Sequence, residues 1–399
     1  MRRSRRFSQA NEEIKTVLIT GANGFIASHL IEQLLTTTTY NVRASVRNIQ
    51  DTSKVAHLVT FPNARRRLRL FEADILNEGA FDNAMKDVQV VFHAAAPYFL
   101  TSDNPYRDLV EPSETGTFNV LTSATKSEHV HTVVLTSSMR TIADRPREKE
   151  YTEDDWNNDS NLKSNPYFYS KVKAEKSAWD FYERSTRLMG VAPFRLVSIN
   201  PAMVIGPSHT KRMNQSSKVL FEIIKGEIPA QVNLSFWLVD VRDVVKAHIL
   251  AAQNPHASGR YICASKTLDM AEIISILKQR FPDYKYPWSL TLPNVAAKIV
   301  STMRDPAGYV SYVKTNVGKG AYKFNNSKIR NELGLEFRAI EESLWDQAAD
   351  FIRWGHMRDK LSNDWVYKAP AAIKDADVAR AYGWGFNSFV DDNSDRDIG

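Results

Sequence analysis

Residues 16–30, TVLITGANGFIASHL, decide the fold of this chain. The apolar start is typical of a strand buried on both faces, and the apolar spacing of the end predicts a helix. Gly21 and Gly24 lie in the turn between them, where glycine permits a tight bend and a close approach of backbone to ligand. A helix that begins after such a turn presents N–H groups to an anion, so a phosphate-binding loop is predicted. The same pattern also fits an ordinary strand–turn–helix, so the rest of the chain must decide.

The composition is that of a globular protein. Of the 399 residues, 43% are hydrophobic and 25% are charged, and no apolar run approaches the roughly 20 residues that span a membrane. Two arginine clusters, at 2–6 and 65–69, carry much of the net charge of +6. They lack interleaved aromatic residues, so we expect no nucleic-acid or membrane partner. The single cysteine, Cys263, is expected to be a buried thiol, the scattered histidines predict no metal site, and a cytoplasmic location is expected.

Strand and helix patterns alternate from residue 16 onward, which predicts an α/β fold with a doubly wound parallel sheet of the Rossmann type. We expect residues 1–14 to be a disordered basic terminus and 15–207 to form the nucleotide-binding domain, rejoined by parts of 236–265. Residues 208–355 are expected to form mainly a smaller substrate-binding lobe. Residues 356–399 are expected to be a C-terminal extension.

The end of the second strand indicates which nucleotide binds. In dinucleotide-binding folds an acidic residue at this position holds the ribose hydroxyls of NAD. Here the position is occupied by Arg47, and Lys54 follows. A guanidinium binds a 2′-phosphate through paired charged hydrogen bonds, whereas a carboxylate would repel it. The sequence therefore favours NADP over NAD.

Small or polar residues follow the next three strands. Asp74 follows the third strand, where its carboxylate could accept a hydrogen bond from the adenine amino group. Three alanines, 94–96, follow the fourth strand and its end residue His93, and they would let the backbone lie close to a flat ligand. Ser137 and Ser138 follow the fifth strand, at the edge where such sheets bind ligands.

Tyr167 and Lys171 match this nucleotide site chemically. Asn165–Pro166 predicts the capping residue and first residue of a helix, so the spacing of four places Tyr167 and Lys171 on one helical face. A lysine ammonium one turn away would lower the phenol pKa from its usual value of about 10 and help the tyrosine to transfer a proton. Ser138 would donate to the developing oxyanion. Ser137 is the alternative serine.

Taken together, these motifs resemble the extended short-chain dehydrogenase/reductase superfamily, over about residues 15–355. Within it the chain is similar to the branch of dihydroflavonol reductases, cinnamoyl-CoA reductases and methylglyoxal-type reductases. The resemblance implies NADP(H), a Ser138–Tyr167–Lys171 catalytic set, and reduction of an aldehyde or ketone or the reverse alcohol oxidation. The cofactor residues implied are Gly21, Asn23, Gly24, Phe25, Ile26, Arg47, Lys54, Asp74, Ile75, Ala94, Ala95, Ala96, Lys171, Pro201 and Val204.

The substrate is less well defined, because the chain departs from both plant patterns. Flavonoid reductases carry an asparagine where this chain has Ala143. Cinnamoyl-CoA reductases carry an Asn-Trp-Tyr-Cys-Tyr run where this chain has Asn-Pro-Tyr-Phe-Tyr at 165–169. A small carbonyl or alcohol compound is the expected partner of a monomer or homodimer. The candidate pocket residues are Pro97, Tyr98, Phe99, Met139, Arg140, Phe236 and Trp237.

Two other functions use the same scaffold. Sugar-nucleotide epimerases and dehydratases retain NAD and usually need an acidic residue where Arg47 stands, so this residue argues against them. A non-catalytic NADP sensor is the other alternative. Sensors on this fold have typically lost the tyrosine and the lysine, whereas Tyr167 and Lys171 are both present.

Overall fold

A computed structural model describes residues 15–96, 103–303 and 310–360. The predicted disordered terminus at 1–14 and residues 361–399 of the predicted C-terminal extension lie outside these described residues. The strands are β1 Thr16–Thr20, β2 Asn41–Val46, β3 Leu68–Glu72, β4 Val90–His93, β5 Thr132–Thr136, β6 Arg195–Pro201, β7 Met203–Ile205, β8 Ala230–Val232, β9 Ser235–Asp240, β10 Gly259–Cys263, β11 Lys266–Asp269 and β12 Trp288–Leu292.

The helices alternate with these strands in the first half of the chain and cluster in the second. They are α1 Phe25–Thr37, α2 Thr52–Val59, α3 Ala64–Arg67, α4 Glu111–Lys126, α5 Pro166–Met189, α6 Gln215–Lys225, α7 Val241–Gln253, α8 Met270–Arg280, α9 Asn294–Met303, α10 Val310–Asn316, α11 Ser327–Leu333 and α12 Ile340–Arg353. A π-helical turn, Tyr106–Val110, leads into α4, and a 3₁₀ turn, Met139–Thr141, follows β5.

Seven parallel strands form the main sheet, in the order β3-β2-β1-β4-β5-β6-β10. The chain reverses its direction of travel across the sheet between β1 and β4, and ligands of open α/β sheets bind at such a point. The sheet packs on both faces: Val17 and Ile19 of β1 lie in one apolar cluster, and Leu18 between them lies in the other. The Rossmann-type fold class predicted from the alternation of strands and helices is thus confirmed.

Two smaller sheets come from the second half of the chain. Strand β9 pairs in parallel with β7 and antiparallel with β11, while β8 pairs in parallel with β12. The stretch after residue 210 contains α6 and β8. Cys263 is buried on β10, and burial raises the pKa of its thiol.

Helix α5 begins at Pro166 as predicted, but Asn165 does not cap it with its side chain. The Asn165 amide instead donates to both carboxylate oxygens of Asp144, at 2.8 and 3.0 Å. The helix ends at Gly190, which has a left-handed φ of 69°.

None of the helices in the described ranges is long and apolar enough to cross a membrane. Across the same ranges, no three His, Cys, Asp or Glu side chains are grouped so that they could hold a metal ion.

Buried histidines make the fold sensitive to acid. Burial lowers the pKa of His57 and of His93 to about 3, and that of His248 to about 4. Each of these side chains is neutral in the folded protein, whereas it takes up a proton near pH 6.5 when the chain unfolds. Stability is therefore lost as the pH falls from about 6.5 toward these lowered values.

Replacing His57 with leucine is expected to reduce this acid sensitivity. Its buried Nε2 has no hydrogen-bond partner among the described residues, so an apolar side chain is tolerated there. Between pH 7 and pH 5 the free energy of unfolding of His57→Leu should gain about 2 kcal/mol relative to wild type. Urea unfolding at the two pH values measures this difference. The exposed His256→Leu is the control, and an equal pH dependence in His57→Leu and wild type would contradict the prediction.

Candidate active site

The carboxyl ends of the strands around β1 and β4 open into one cleft of about 800 Å³. All fifteen cofactor residues implied by the resemblance line it, and so do Ser138, Tyr167 and Arg140. The structure therefore brings together residues that are up to 183 positions apart in the sequence, Gly21 and Val204 being the outermost.

The glycine turn has the backbone geometry of an anion-binding loop. Gly21 has a φ of 70°, and a Cβ added there would lie 2.9 Å from the Cα of Ala95, so only glycine fits. The Gly24 N–H donates to the Gly21 carbonyl at 2.9 Å. Gly24 then starts α1, whose first turn has no acidic residue and, among the described residues, no side-chain cap. The helix N-terminus therefore points its N–H groups and its positive dipole end at the cleft.

Thr20, which the sequence analysis did not single out, fastens this turn to the neighbouring strand. Its hydroxyl oxygen accepts the N–H groups of Ala94 and Ala95 at 3.1 and 3.0 Å, and the hydroxyl lies 2.9 Å from Nδ1 of His93. Since both N–H groups use the oxygen lone pairs, the hydroxyl proton is donated to His93, which is neutral because burial lowers its pKa. The position directly before Gly21, at the end of β1, was the available signal.

Arg47 and Lys54 lie where β2 leaves the sheet. Arg47 is exposed, and Lys54 pairs with Asp51 at 2.5 Å, an interaction the sequence analysis did not anticipate. One oxygen of Asp74 accepts the N–H of Leu76 at 3.0 Å, which orients this carboxylate at the cleft edge. This end of the cleft thus carries two cations, of which one is already paired.

The two serines after β5 differ in their hydrogen bonds. The Ser137 hydroxyl donates to the buried carboxylate of Glu175 at 2.6 Å. The Ser138 hydroxyl oxygen accepts the N–H of Arg140 at 3.1 Å and caps the 3₁₀ turn. Ser137 has therefore committed its proton to Glu175, whereas Ser138 uses a lone pair and can still donate to a ligand.

Glu175 is a second residue that the sequence analysis missed. It accepts from Arg260 at 2.8 Å and from the amide of Asn200 at 2.8 Å, in addition to Ser137. Burial alone would raise the pKa of Glu175, but the Arg260 guanidinium and the hydrogen bonds outweigh it and hold the pKa below its usual value. Glu175 lies four residues, or one helical turn, after Lys171. This spacing was the only local sequence feature that linked Glu175 to the site.

Tyr167 and Lys171 lie one turn apart on α5, and both are half-buried. The Lys171 Nζ is 5.8 Å from the centre of the Tyr167 ring. Burial lowers the pKa of Lys171 to about 8, so the ammonium form still predominates at pH 7. A tyrosine, a lysine and a hydroxyl donor therefore face the same cleft as the glycine turn.

The expected substrate pocket needs one correction. Met139 was predicted to line it, but this side chain is fully buried in the apolar core and does not reach the cleft. The next residue, Arg140, occupies the cleft wall instead, because the 3₁₀ turn directs adjacent side chains to different sides. Phe236 and Trp237 lie in the cleft wall, and so does Tyr312. Pro97, Tyr98 and Phe99 lie outside the described residues.

A family comparison agrees with this geometry. The sequence profile of the NAD dependent epimerase/dehydratase family matches residues 17–264. The chain belongs to this family. That span includes β1 to β10, and it therefore contains the glycine turn, both serines, Tyr167 and Lys171.

Individual relatives belong to the branch predicted from the sequence. The chain is 38% identical to a cinnamoyl-CoA reductase of Medicago truncatula, over 82% of this chain and 93% of that protein. It is 33% identical to tetraketide alpha-pyrone reductase 1 of Arabidopsis thaliana, over 86% and 98%. Its fold resembles the yeast methylglyoxal/isovaleraldehyde reductase Gre2, solved with NADPH, with a TM-score of 0.70 and 26% identity over 86% and 99% of the two chains.

Thr20→Val is expected to loosen the contact between β1 and β4. Valine keeps the shape of threonine but removes the oxygen that two N–H groups and His93 require. The free energy of unfolding should fall by about 2 kcal/mol, measured by urea denaturation at pH 7. Thr16→Val at the other end of β1 is the matched control, with a change of less than about 0.5 kcal/mol. Equal stability of Thr20→Val and Thr16→Val would contradict the assignment.

Proposed function

We propose that this protein reduces an aldehyde or ketone with NADPH, and can run the reverse alcohol oxidation, with Ser138, Tyr167 and Lys171 as its proton-transfer site. The chain is an NADP-dependent oxidoreductase of the family named above. The observation that carries the proposal is that α5 presents Tyr167 and Lys171 to the same cleft that Ser138 and the glycine turn line. A small carbonyl compound is its expected partner. A cytoplasmic location and a monomeric or homodimeric state stay predictions.

The residues of the cleft fit NADP(H). The close approach of Gly21 to Ala95 leaves flat backbone surface, and the start of α1 offers N–H groups for a pyrophosphate. The exposed guanidinium of Arg47 suits a 2′-phosphate, and Lys171 suits a ribose hydroxyl. When bound, NADPH supplies the hydride.

Proton delivery falls to Tyr167. Its hydroxyl would give a proton to the carbonyl oxygen, while the nearby ammonium of Lys171 favours the phenolate that remains. Lys171 loses its proton as the pH rises through about 8, and this assistance is lost with it. Ser138 would hydrogen-bond the same oxygen, because the Ser137 proton is held by Glu175.

Single substitutions test the roles proposed for Tyr167, Ser138 and Ser137. Tyr167→Phe and Ser138→Ala should each lower kcat/KM for NADPH-dependent reduction by about 100-fold or more. Ser137→Ala should cost less than about 10-fold, since its hydroxyl is bonded to protein. Tyr169→Phe, on the same helix but outside the cleft lining, is the matched control and should keep full activity. Retention of activity in Tyr167→Phe, or a larger loss in Ser137→Ala than in Ser138→Ala, would contradict the assignment.

The preference for NADPH over NADH tests whether Arg47 binds the 2′-phosphate. Wild type should prefer NADPH over NADH in kcat/KM, and Arg47→Ala should lower this preference by about 10- to 100-fold, chiefly by raising the KM for NADPH. Steady-state assays with both cofactors give the ratio. The exposed Arg65→Ala, in the arginine cluster away from the cleft lining, should leave it unchanged. A wild-type preference for NADH would refute the role of Arg47.

A further inference from the structure

Arg140 occupies an unusual place at the substrate end of the cleft. Its guanidinium carbon lies 4.4 Å from the ring centre of Phe168, 4.6 Å from that of Trp237 and 4.6 Å from that of Tyr312. Tyr322 completes this aromatic cage at 5.6 Å, and its hydroxyl accepts from Nη1 at 3.1 Å. Four rings thus surround one cation in the wall that also carries Ser138 and Tyr167.

The Arg140 guanidinium forms no close ion pair with a carboxylate of the described residues, although its charge opposes the rise that burial causes in the pKa of the nearby Asp144 carboxyl. Arg242 pairs with two aspartates and Arg260 with Glu175, but Arg140 forms no ion pair within 4.0 Å in this part of the chain. Its acidic neighbour Asp144 has both oxygens bonded to the Asn165 amide. The Tyr322 hydroxyl, which accepts a hydrogen bond from the guanidinium, is uncharged at pH 7 because burial raises its pKa.

A half-buried guanidinium next to a reaction site attracts an anion. The rings hold the cation in place and exclude water from its faces, and a less hydrated charge interacts more strongly. The ammonium of Lys171 adds positive charge to the same cleft. The guanidinium is planar and suits a carboxylate, which it can bind through two parallel hydrogen bonds.

We propose that the substrate is a carbonyl compound that carries a carboxylate, and that Arg140 binds this carboxylate. This inference rests on the proposed function and narrows its substrate class. The hydrocarbon part would lie against Phe236 and Trp237 of the cleft wall. One hydride from NADPH and one proton convert the carbonyl to an alcohol and leave NADP⁺, and the carboxylate is unchanged.

Matched acids and esters test the proposal. The probes are 4-formylbenzoate and 4-oxopentanoate, each compared with its methyl ester, which keeps the shape and removes the charge. In wild type, kcat/KM for each acid should exceed that for its ester by at least about 10-fold, and Arg140→Met should lower this ratio by about 10-fold or more. Arg140→Lys keeps the charge and should retain part of the preference. Arg145→Met, at an exposed arginine that pairs with Asp159 outside the cleft lining, should leave the ratio at the wild-type value.

The ratio separates substrate recognition from a structural role. If Arg140 only filled the aromatic cage, its variants would lower acid and ester turnover equally and leave the ratio unchanged, which would overturn the proposal. Equal or faster reduction of the esters by wild type would overturn it too, even if Arg140→Met failed to fold. If the enzyme reduced neither the acid and ester probes nor any neutral aldehyde, the proposed function would be refuted. Titration calorimetry of the Tyr167→Phe variant with NADP⁺ bound would then test carboxylate binding by Arg140 independently of turnover. We expect 4-formylbenzoate to bind and its methyl ester not to bind. Equal binding of both compounds would overturn the proposal.

Discussion

The buried carboxylate of Glu175 is the interaction on which the active-site geometry depends. It lies on the helix of Tyr167 and Lys171, and it bonds to Ser137 after β5, to Asn200 on β6 and to Arg260 on β10. Three strand ends and one helix are thereby fixed to a single charged group. Breaking a buried pair by removing one partner costs several kcal/mol, so this arrangement resists displacement. Ser138, the proposed catalytic serine, is the next residue in the chain after Ser137, which Glu175 binds.

A second contact fixes the nucleotide side of the cleft. Thr20 joins β1 to the backbone after β4, and the missing side chain of Gly21 allows Ala95 to approach. Ser137 and Asn200 of the Glu175 network lie at the same carboxyl edge of the sheet as the Thr20 contact. Sheet topology therefore brings the glycine turn and the proposed proton-transfer helix to one edge of the sheet. Such preorganisation is what a hydride transfer between two bound molecules requires.

The sequence predicted the parts of the site that depend on local spacing. The glycine turn, the Arg47 position and the Tyr167–Lys171 pair each lie within one turn or one strand end, so short patterns identify them. Glu175 and Thr20 act through partners far away in the chain, and their importance follows only from the folded contacts. The aromatic cage of Arg140 includes Tyr322, which is 182 positions away in the chain, so short sequence patterns could not predict the cage either. Met139 was misplaced because a 3₁₀ turn, not an extended end, follows β5.

The proposed function requires above all that a hydride pass directly from bound NADPH to a carbonyl carbon beside Tyr167. The most direct measurement uses NADPH labelled with deuterium at C4 of the nicotinamide in single-turnover reactions, with the product alcohol analysed by mass spectrometry and NMR. We expect that one face of the labelled ring delivers its deuterium to the carbinol carbon and that none arrives there from deuterated solvent. Incorporation from solvent at that carbon, or no oxidation of NADPH with any carbonyl compound, would contradict it.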